Sequence, residues 1–307
     1  MNQELAFIFP PFVNEYFGNE KDIISSFGYN IEKLLKQSQS ITSYNFTSFD
    51  EESNNFIGEE LPSQYLAYIF SCAVSDILTS LHIKPSLVSG YSMGIYAALY
   101  HTGAISFKTG LDLIQKAFQI ITNHTQGNTY SMATIVGFTE NDIIELIGEE
   151  KDTVEIINRN NQHTYVISGI RPIVEKIVQR ATEEGALYCR ILKVNSPYHS
   201  RFMHKAAAEF SNYISGLEIQ TPNVPIVSLL NQYFITSTAE IAIELANNIH
   251  NRMNWQATVE TMNQSGIKLF IECGAGESLS KIGKFIDGDF QTIHLGKLPK
   301  FLSRHTL

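Results

Sequence analysis

The sequence predicts an α/β fold in which a small subdomain is inserted into a larger one built on a parallel sheet. Three observations carry this prediction. Short apolar strands alternate with helical periods along most of the 307 residues. Residues 131–194 follow the order β-α-β-β-α-β, the split βαβ pattern of ferredoxin-like units. A glycine-flanked serine also follows one strand and precedes a helix. We therefore expect a large subdomain of residues 1–130 and 195–307 around a small subdomain of residues 131–194.

The N-terminal part of the chain begins with a strand and continues mostly through helices. Leu5–Phe9 is an apolar run that ends at two prolines, which is typical of a buried strand followed by a loop. A second short strand is predicted over residues 86–89. The predicted helices cover residues 21–27, 31–37, 64–81, 95–100 and 108–121.

The small subdomain is marked by alternating strands and helices with clear end signals. Thr139 and Asp142 have the spacing of a helix N-terminal cap, and Gly185 ends the second helix. The predicted strands cover residues 131–138, 154–158, 164–168 and 188–194, and the helices cover residues 143–147 and 172–184. The remaining predicted elements are helices over 200–214 and 239–252, a helix after Trp255, a last helix from Ser278, and strands over 224–230 and 269–272.

Composition excludes several classes of function. Lys and Arg number 22 and Asp and Glu number 31, which gives a formal charge of −9. Nonspecific nucleic-acid binding depends on neutralising phosphates, so an acidic chain is a poor candidate for it. The cysteines Cys72, Cys189 and Cys273 form no Cys-x-x-Cys pair, so we expect neither a metal site nor a disulfide framework. The first residues lack a basic signal-peptide region, and no apolar run reaches the ~18 residues of a membrane span. We expect a cytoplasmic protein without membrane contact.

Gly90-x-Ser92-x-Gly94 has the pattern of a nucleophile elbow. It lies between a predicted strand and a predicted helix, which is the context that this motif requires. The following helix would present its first amides to a reacting carbonyl, and the Met93 amide is the natural first oxyanion donor. The alternative is a chance match, because Gly-x-Ser-x-Gly also occurs in ordinary loops.

A serine nucleophile needs a base, and His199 is the candidate among nine histidines. It follows the bend at residues 195–198 and precedes a helix, so it is held at the edge of an element, where functional groups are common. The other interpretation is a structural histidine.

The elbow is one part of a larger set of sequence segments. The set comprises residues 83–94, which include the elbow, residues 96–99 and 103–107, Asn158-Arg159-Asn160, residues 166–169, residues 197–203 around His199, and residues 270–276. Together they resemble the malonyl-CoA:acyl-carrier-protein acyltransferases over nearly the whole chain. The resemblance implies an α/β-hydrolase-like large subdomain and a catalytic Ser92–His199 dyad. It also implies that the backbone carbonyl of Asn248 orients His199, and that the Phe12 amide is the second oxyanion donor.

Departures from the family pattern concern the acyl pocket. Ala117 occupies the position where the malonyl enzymes carry an arginine that pairs with the malonyl carboxylate. Tyr198 precedes His199, and Tyr91 replaces a common histidine. Loss of the arginine is associated with trans-acting acyl hydrolases that clear acyl groups from carrier proteins in polyketide biosynthesis, and the chain resembles this proofreading subgroup. The alternatives are an acyltransferase that loads a malonyl or neutral acyl group, and a catalytically silent scaffold.

The resemblance implies an acyl carrier protein as partner and a phosphopantetheine thioester as substrate, with CoA thioester in the acyltransferase alternative and no resident cofactor. Carrier proteins are usually acidic, so docking on an acidic chain needs a local basic patch. The candidate residues are Arg201, His204, Lys205, His250 and Arg252. An ordinary solvated helix face is the alternative.

Overall fold

The computed structural model describes residues 4–11, 15–56 and 58–304. The strands are β1 (Leu5–Phe9), β2 (Leu87–Gly90), β3 (Tyr130–Val136), β4 (Val154–Asn161), β5 (Thr164–Ile170), β6 (Tyr188–Ile191), β7 (Ile226–Val227), β8 (Phe234–Ile235), β9 (Met253–Asn254), β10 (Leu269–Glu272) and β11 (Gln291–His294). The α-helices are α1 (Glu20–Ser26), α2 (Glu32–Thr42), α3 (Glu60–Ser80), α4 (Gly94–His101), α5 (Phe107–Thr125), α6 (Glu140–Ile147), α7 (Arg171–Glu183), α8 (His204–Ile214), α9 (Thr238–Asn248), α10 (Trp255–Gln264), α11 (Ser278–Gly283) and α12 (Leu298–Leu302).

The large subdomain is built on a six-stranded sheet in the order β11-β10-β1-β2-β7-β8. Its neighbouring strands run parallel except for the antiparallel pair β7 and β8. All five residues of β1 are buried, with Phe7 in the apolar core on one face and Ile8 in the core on the other. A central parallel strand covered on both faces explains the uninterrupted apolar run in this segment of the sequence.

The small subdomain is a five-stranded sheet in the order β6-β3-β5-β4-β9. Its first four strands are antiparallel and connect as in a ferredoxin-like unit, with α6 and α7 contributing to one buried core. The fifth strand, β9, comes from the C-terminal part of the chain and pairs in parallel with β4. The two-subdomain α/β fold expected from the sequence is confirmed. The division at residues 131–194 stays a prediction, and β9 adds a strand from outside that range.

Several predicted elements differ in length from the observed ones. The strand expected over residues 224–230 is reduced to β7, because the chain turns after Val227 to pair with β8. The helix expected over residues 239–252 ends at Asn248, and residues 253–254 become β9. The helix from Ser278 is not the last element, since β11 and α12 follow it. None of the helices in the described part of the chain has the length and hydropathy that a membrane span requires.

Candidate active site

The tight turn between β2 and α4 holds Ser92 in a left-handed backbone conformation, with φ of 53°. A non-glycine residue in this region costs about 1–3 kcal/mol, so the surrounding structure must impose it. The two flanking glycines make this packing feasible. A Cβ on Gly90 would lie 2.3 Å from the Ile95 nitrogen, and a Cβ on Gly94 would lie 2.2 Å from the Phe9 oxygen. The turn therefore packs closely against β1 and the start of α4.

Ser92 and His199 are brought together by the fold. The Oγ of Ser92 lies 2.7 Å from the Nε2 of His199, within hydrogen-bond distance. His199 also has a positive φ of 61°, and its backbone N–H donates to the Ile249 carbonyl at 2.8 Å. Residues separated by more than 100 positions thus form a hydroxyl–imidazole pair, and this pair has the geometry that general-base activation of a hydroxyl needs.

The protonation state of His199 suits a base. Its side chain is buried, and burial lowers its pKa to about 4, whereas the backbone carbonyl of Asn248 acts in the opposite direction. The Asn248 carbonyl raises the pKa of His199 as a hydrogen-bond acceptor, although this contact falls short of full hydrogen-bond geometry at Nδ1. At neutral pH the imidazole is uncharged and its Nε2 can accept the serine proton.

Asn248 also supports the elbow through its side chain. It is the last residue of α9, and its Nδ2 donates to the backbone carbonyl of Ser92 at 3.0 Å. The Oδ1 of the same amide is buried and has no partner among the described residues. The end of α9 therefore contacts both members of the Ser92–His199 pair.

A cavity of about 80 Å³ opens beside Ser92 and His199. Ala117 on α5 contributes to its wall, as do Tyr198 and Asn248. No lysine or arginine is among the described residues that line it. Much of the remaining wall is apolar and includes Phe118, Ile121, Met132, Leu192 and Val194.

Both predicted oxyanion donors stay predictions. Met93 directly precedes α4 and lines the cavity. Phe12 lies outside the described residues, so its role stays a prediction. No group of three or more His, Cys, Asp or Glu side chains in residues 4–11, 15–56 and 58–304 is arranged to hold a metal ion.

Comparison with known proteins decides the family. The sequence pattern described as the acyl transferase domain matches residues 21–282.

The chain belongs to the acyl transferase domain family.

Relatives of this acyl transferase domain include two proteins of Bacillus subtilis (strain 168). Its malonyl CoA-acyl carrier protein transacylase is 26% identical over 297 residues, covering 94% of this chain and 92% of that protein. Its polyketide biosynthesis malonyl CoA-acyl carrier protein transacylase PksC is 30% identical over 203 residues, covering 64% and 68%. The solved complex of a type II polyketide acyl-carrier protein with its malonyl-transacylase (PlMCAT:AntF) matches with a TM-score of 0.87 at 24% identity, covering 98% and 100%. That likeness confirms the fold. The predicted resemblance is confirmed for the acyltransferase family, and these relatives do not distinguish a hydrolase subgroup.

The acyl transferase domain holds an acidic group behind the cavity that the sequence analysis missed. Tyr198 donates its hydroxyl hydrogen to Glu60 Oε1 at 2.5 Å and accepts a hydrogen bond from Gln64 Nε2 at 3.4 Å. Burial raises the pKa of Glu60, while its hydrogen bonds from Tyr198 and the Asn195 amide oppose that rise. Glu60 is more than 130 positions from Tyr198 in the chain, so no local spacing could have indicated the pair.

Tyr91 connects the elbow of the domain to the small subdomain. Its hydroxyl donates to Asn160 Oδ1 at 2.9 Å and accepts a hydrogen bond from Asn158 Nδ2. Its ring packs edge-on against Trp255 with centroids 5.5 Å apart. The Asn-x-Asn segment that the sequence analysis singled out therefore serves as a polar anchor for β4 beneath the elbow.

Two members of the expected basic patch are already neutralised. Arg201 lies 2.8 Å from Glu155, and Arg252 lies 2.7 Å from Glu140. Both pairs join the large subdomain to acidic residues of the small one. Part of the patch therefore belongs to the contact between the subdomains.

Proposed function

We propose that the protein is an acyltransferase that carries an uncharged acyl group on Ser92 and passes it between thioesters. The observation that supports this most directly is the position of Ala117 in the wall of the cavity beside Ser92, where the lining residues described carry no positive charge. The family is that of acyl transferases, and its relatives named above are transacylases. Both facts favour transfer to a thiol over hydrolysis.

The chemistry would proceed in two balanced steps. His199 takes the proton of Ser92 as Oγ attacks the thioester carbonyl, and the N–H of Met93 stabilises the developing oxyanion. The intermediate collapses, the C–S bond breaks, and the imidazolium returns its proton to the leaving thiolate. The acceptor thiol then attacks the acyl-serine ester with His199 as base, and the proton ends on Ser92.

The electrostatics of the cavity argue against a malonyl group. Burying a carboxylate without a partner costs several kcal/mol. Glu60 lies behind Tyr198, and in its ionised form it would add repulsion. An acetyl group or a longer alkyl chain incurs neither cost and would pack against Phe118 and Ile121.

Hydrolysis of carrier-bound acyl groups is the second candidate. It is favoured by the missing arginine at Ala117, the departure in which the chain resembles the acyl hydrolase subgroup. Because both candidates use the same pair of residues, only the acceptor separates them.

An acyl carrier protein is the proposed macromolecular partner. The solved relative that matches over 98% of this chain is described as a complex with such a carrier. The proposed substrate is therefore the phosphopantetheine thioester of a carrier protein, with CoA thioester as the other acyl donor or acceptor. The protein would need no resident cofactor for this reaction.

The test follows the mass of the intact carrier protein. Holo-carrier is incubated with acetyl-CoA or malonyl-CoA, and acetyl-carrier is incubated with the enzyme alone. Ser92→Ala is the inactive control, and Ala117→Arg is the specificity variant. We expect acetyl transfer to exceed malonyl transfer in the wild type, and Ala117→Arg to reverse the preference. Rapid loss of acetyl from the carrier without CoA would establish hydrolysis instead, and efficient malonyl transfer by the wild type would contradict the pocket argument.

A further inference from the structure

We propose that Glu60 is a positioning residue that limits the acyl group on Ser92 to a short chain, because it holds Tyr198 in the wall of the cavity. This inference rests on the proposed function and narrows its substrate class to short uncharged acyl groups. The volume of about 80 Å³ beside Ser92 is small, since an apolar cavity of about 150 Å³ holds one benzene molecule. A residue that fixes the wall of so small a cavity sets the length of chain that fits.

The carboxylate of Glu60 binds the segment that leads to His199 at two points. Its Oε1 accepts the hydroxyl hydrogen of Tyr198 at 2.5 Å, and its Oε2 accepts the backbone N–H of Asn195 at 3.4 Å. Hydrogen bonds to a carboxylate are stronger than those between neutral groups. Within the part of the chain that the structure describes, Glu60 forms no ion pair with a lysine, arginine or histidine. Its charge is therefore directed at this segment.

Helix α3 gives Glu60 a rigid support. Glu60 is the first residue of this 21-residue helix, most of which is buried in the core of the large subdomain. A carboxylate at a helix N-terminus interacts favourably with the helix dipole. Gln64 lies one turn further along α3, lines the cavity, and donates its Nε2 to the Tyr198 hydroxyl oxygen at 3.4 Å. Two side chains on the same face of α3 therefore bind one hydroxyl group.

Tyr198 presents an apolar surface to the acyl group. Its hydroxyl has one hydrogen, which Glu60 accepts, so Tyr198 has no free donor to offer the cavity. Burial raises the pKa of Tyr198, and the negative charge of Glu60 raises it further, so the hydroxyl keeps this hydrogen. The ring packs against the apolar cluster that contains Met132 and Val194, which also line the cavity. An uncharged alkyl chain matches such a wall.

Removing the carboxylate of Glu60 would free the Tyr198 ring to leave the wall. The space that the Glu60 side chain vacates lies directly behind the Tyr198 hydroxyl, and a tyrosine ring can turn into such a space by changing rotamer. The cavity would then extend towards the start of α3. A longer acyl chain would gain apolar burial there, since each buried methylene is favourable. The change would alter which acyl groups fit more than how Ser92 reacts.

The rates of Ser92 acylation by acetyl-CoA and hexanoyl-CoA, followed by the mass of the enzyme, test the inference. We compare the wild type with Glu60→Ala, with Glu60→Gln, and with Glu59→Ala, which removes an exposed carboxylate that forms no cap hydrogen bond. We expect the hexanoyl-to-acetyl rate ratio to rise at least about tenfold in Glu60→Ala. Glu60→Gln keeps an acceptor oxygen for Tyr198, so its ratio should stay at the wild-type value, as should that of Glu59→Ala.

Tyr198→Phe is a second variant that keeps the test decisive if Glu60→Ala does not fold. It should also raise the ratio, and the double variant Glu60→Ala/Tyr198→Phe should show no further rise, because both changes break the same contact.

A purely structural role of Glu60 would lower both acylation rates together. A wild-type ratio in Glu60→Ala and Tyr198→Phe would therefore overturn the inference, as would an equal rise in Glu59→Ala. A wild type that accepts hexanoyl as readily as acetyl would overturn it and leave the proposed function standing. Absence of any acyl adduct on the wild type would contradict the proposed function itself, and this inference with it.

Discussion

At the scale of single residues, the site depends on two strained backbone positions and one buried histidine. Ser92 and His199 both adopt positive φ, and their side chains meet at 2.7 Å. Strain of this kind persists only where packing imposes it, and here the close approach of Gly94 to Phe9 supplies that packing. The strained backbone thus helps to place the Ser92 hydroxyl beside the His199 ring.

The pH dependence of acylation follows from the burial of His199. Its pKa is lowered from 6.5 to about 4, so the base should stay uncharged well below the usual range of histidine. We expect the single-turnover rate of Ser92 acylation to hold from pH 8 to about pH 5 and to fall as pH approaches 4. Circular dichroism at each pH controls for unfolding. A midpoint near 6.5 would contradict the buried, neutral base.

The lowered pKa of His199 also makes the stability of the fold depend on pH. Because the unfolded histidine binds a proton more readily than the folded one, protonation favours unfolding as pH falls from about 6.5 towards 4. His101, whose pKa burial also lowers to about 4, acts in the same direction. Glu272 acts oppositely, since burial raises its pKa to about 7 and its stabilising effect is lost as pH rises through that value.

At the scale of elements, helix ends position much of the site. α9 begins with a capping box in which Ser237 and Glu240 satisfy each other's backbone amides, and it ends at Asn248 beside Ser92. α6 in the small subdomain begins with the equivalent box of Thr139 and Asp142. α9 thus reaches the Ser92–His199 pair through Asn248, whereas α6 packs in the core of the small subdomain.

Removing either cap should cost similar stability without changing the chemistry. We expect Ser237→Ala and Thr139→Ala each to lower the free energy of unfolding by about 1 kcal/mol, because each leaves one N-terminal amide unpaired. Urea denaturation measures the loss, and the rate of Ser92 acylation should stay near that of the wild type. A large fall in rate for Ser237→Ala alone would mean that the start of α9 controls the position of Asn248.

The sequence predicts elements well where periodicity and end signals coincide. Thr139 and Asp142 indicate the start of α6, and the glycines around Ser92 indicate the elbow with its flanking strand and helix. Prediction fails where pairing over long distances decides the structure. β9 is a strand only because β4 lies beside it, and Glu60 joins the site only because α3 packs next to Tyr198.

At the scale of the whole molecule, the two subdomains are joined at several independent places. β9 pairs with β4, Tyr91 reaches Asn158 and Asn160, and the cavity wall combines α5 with residues of the small subdomain. Trp255 is fully buried at this junction and packs against Tyr91. The junction is therefore part of the site as well as of the fold.

Unfolding should be a single cooperative transition because of these links. Trp255 is the single tryptophan of the chain, so its fluorescence reports on the junction, whereas far-ultraviolet circular dichroism reports on all helices. We expect both signals to change with the same midpoint in urea. An earlier fluorescence transition would show that the subdomains separate before they unfold.

We propose that Ser92 carries an uncharged acyl group in a pocket without a positively charged partner for a carboxylate. The mass of the enzyme after brief exposure to acetyl-CoA or malonyl-CoA tests this proposal, with Ser92→Ala as control. We expect an acetyl adduct that maps to Ser92, little malonyl adduct, and neither adduct on the variant. A stable malonyl adduct on the wild type, formed as readily as the acetyl one, would contradict it.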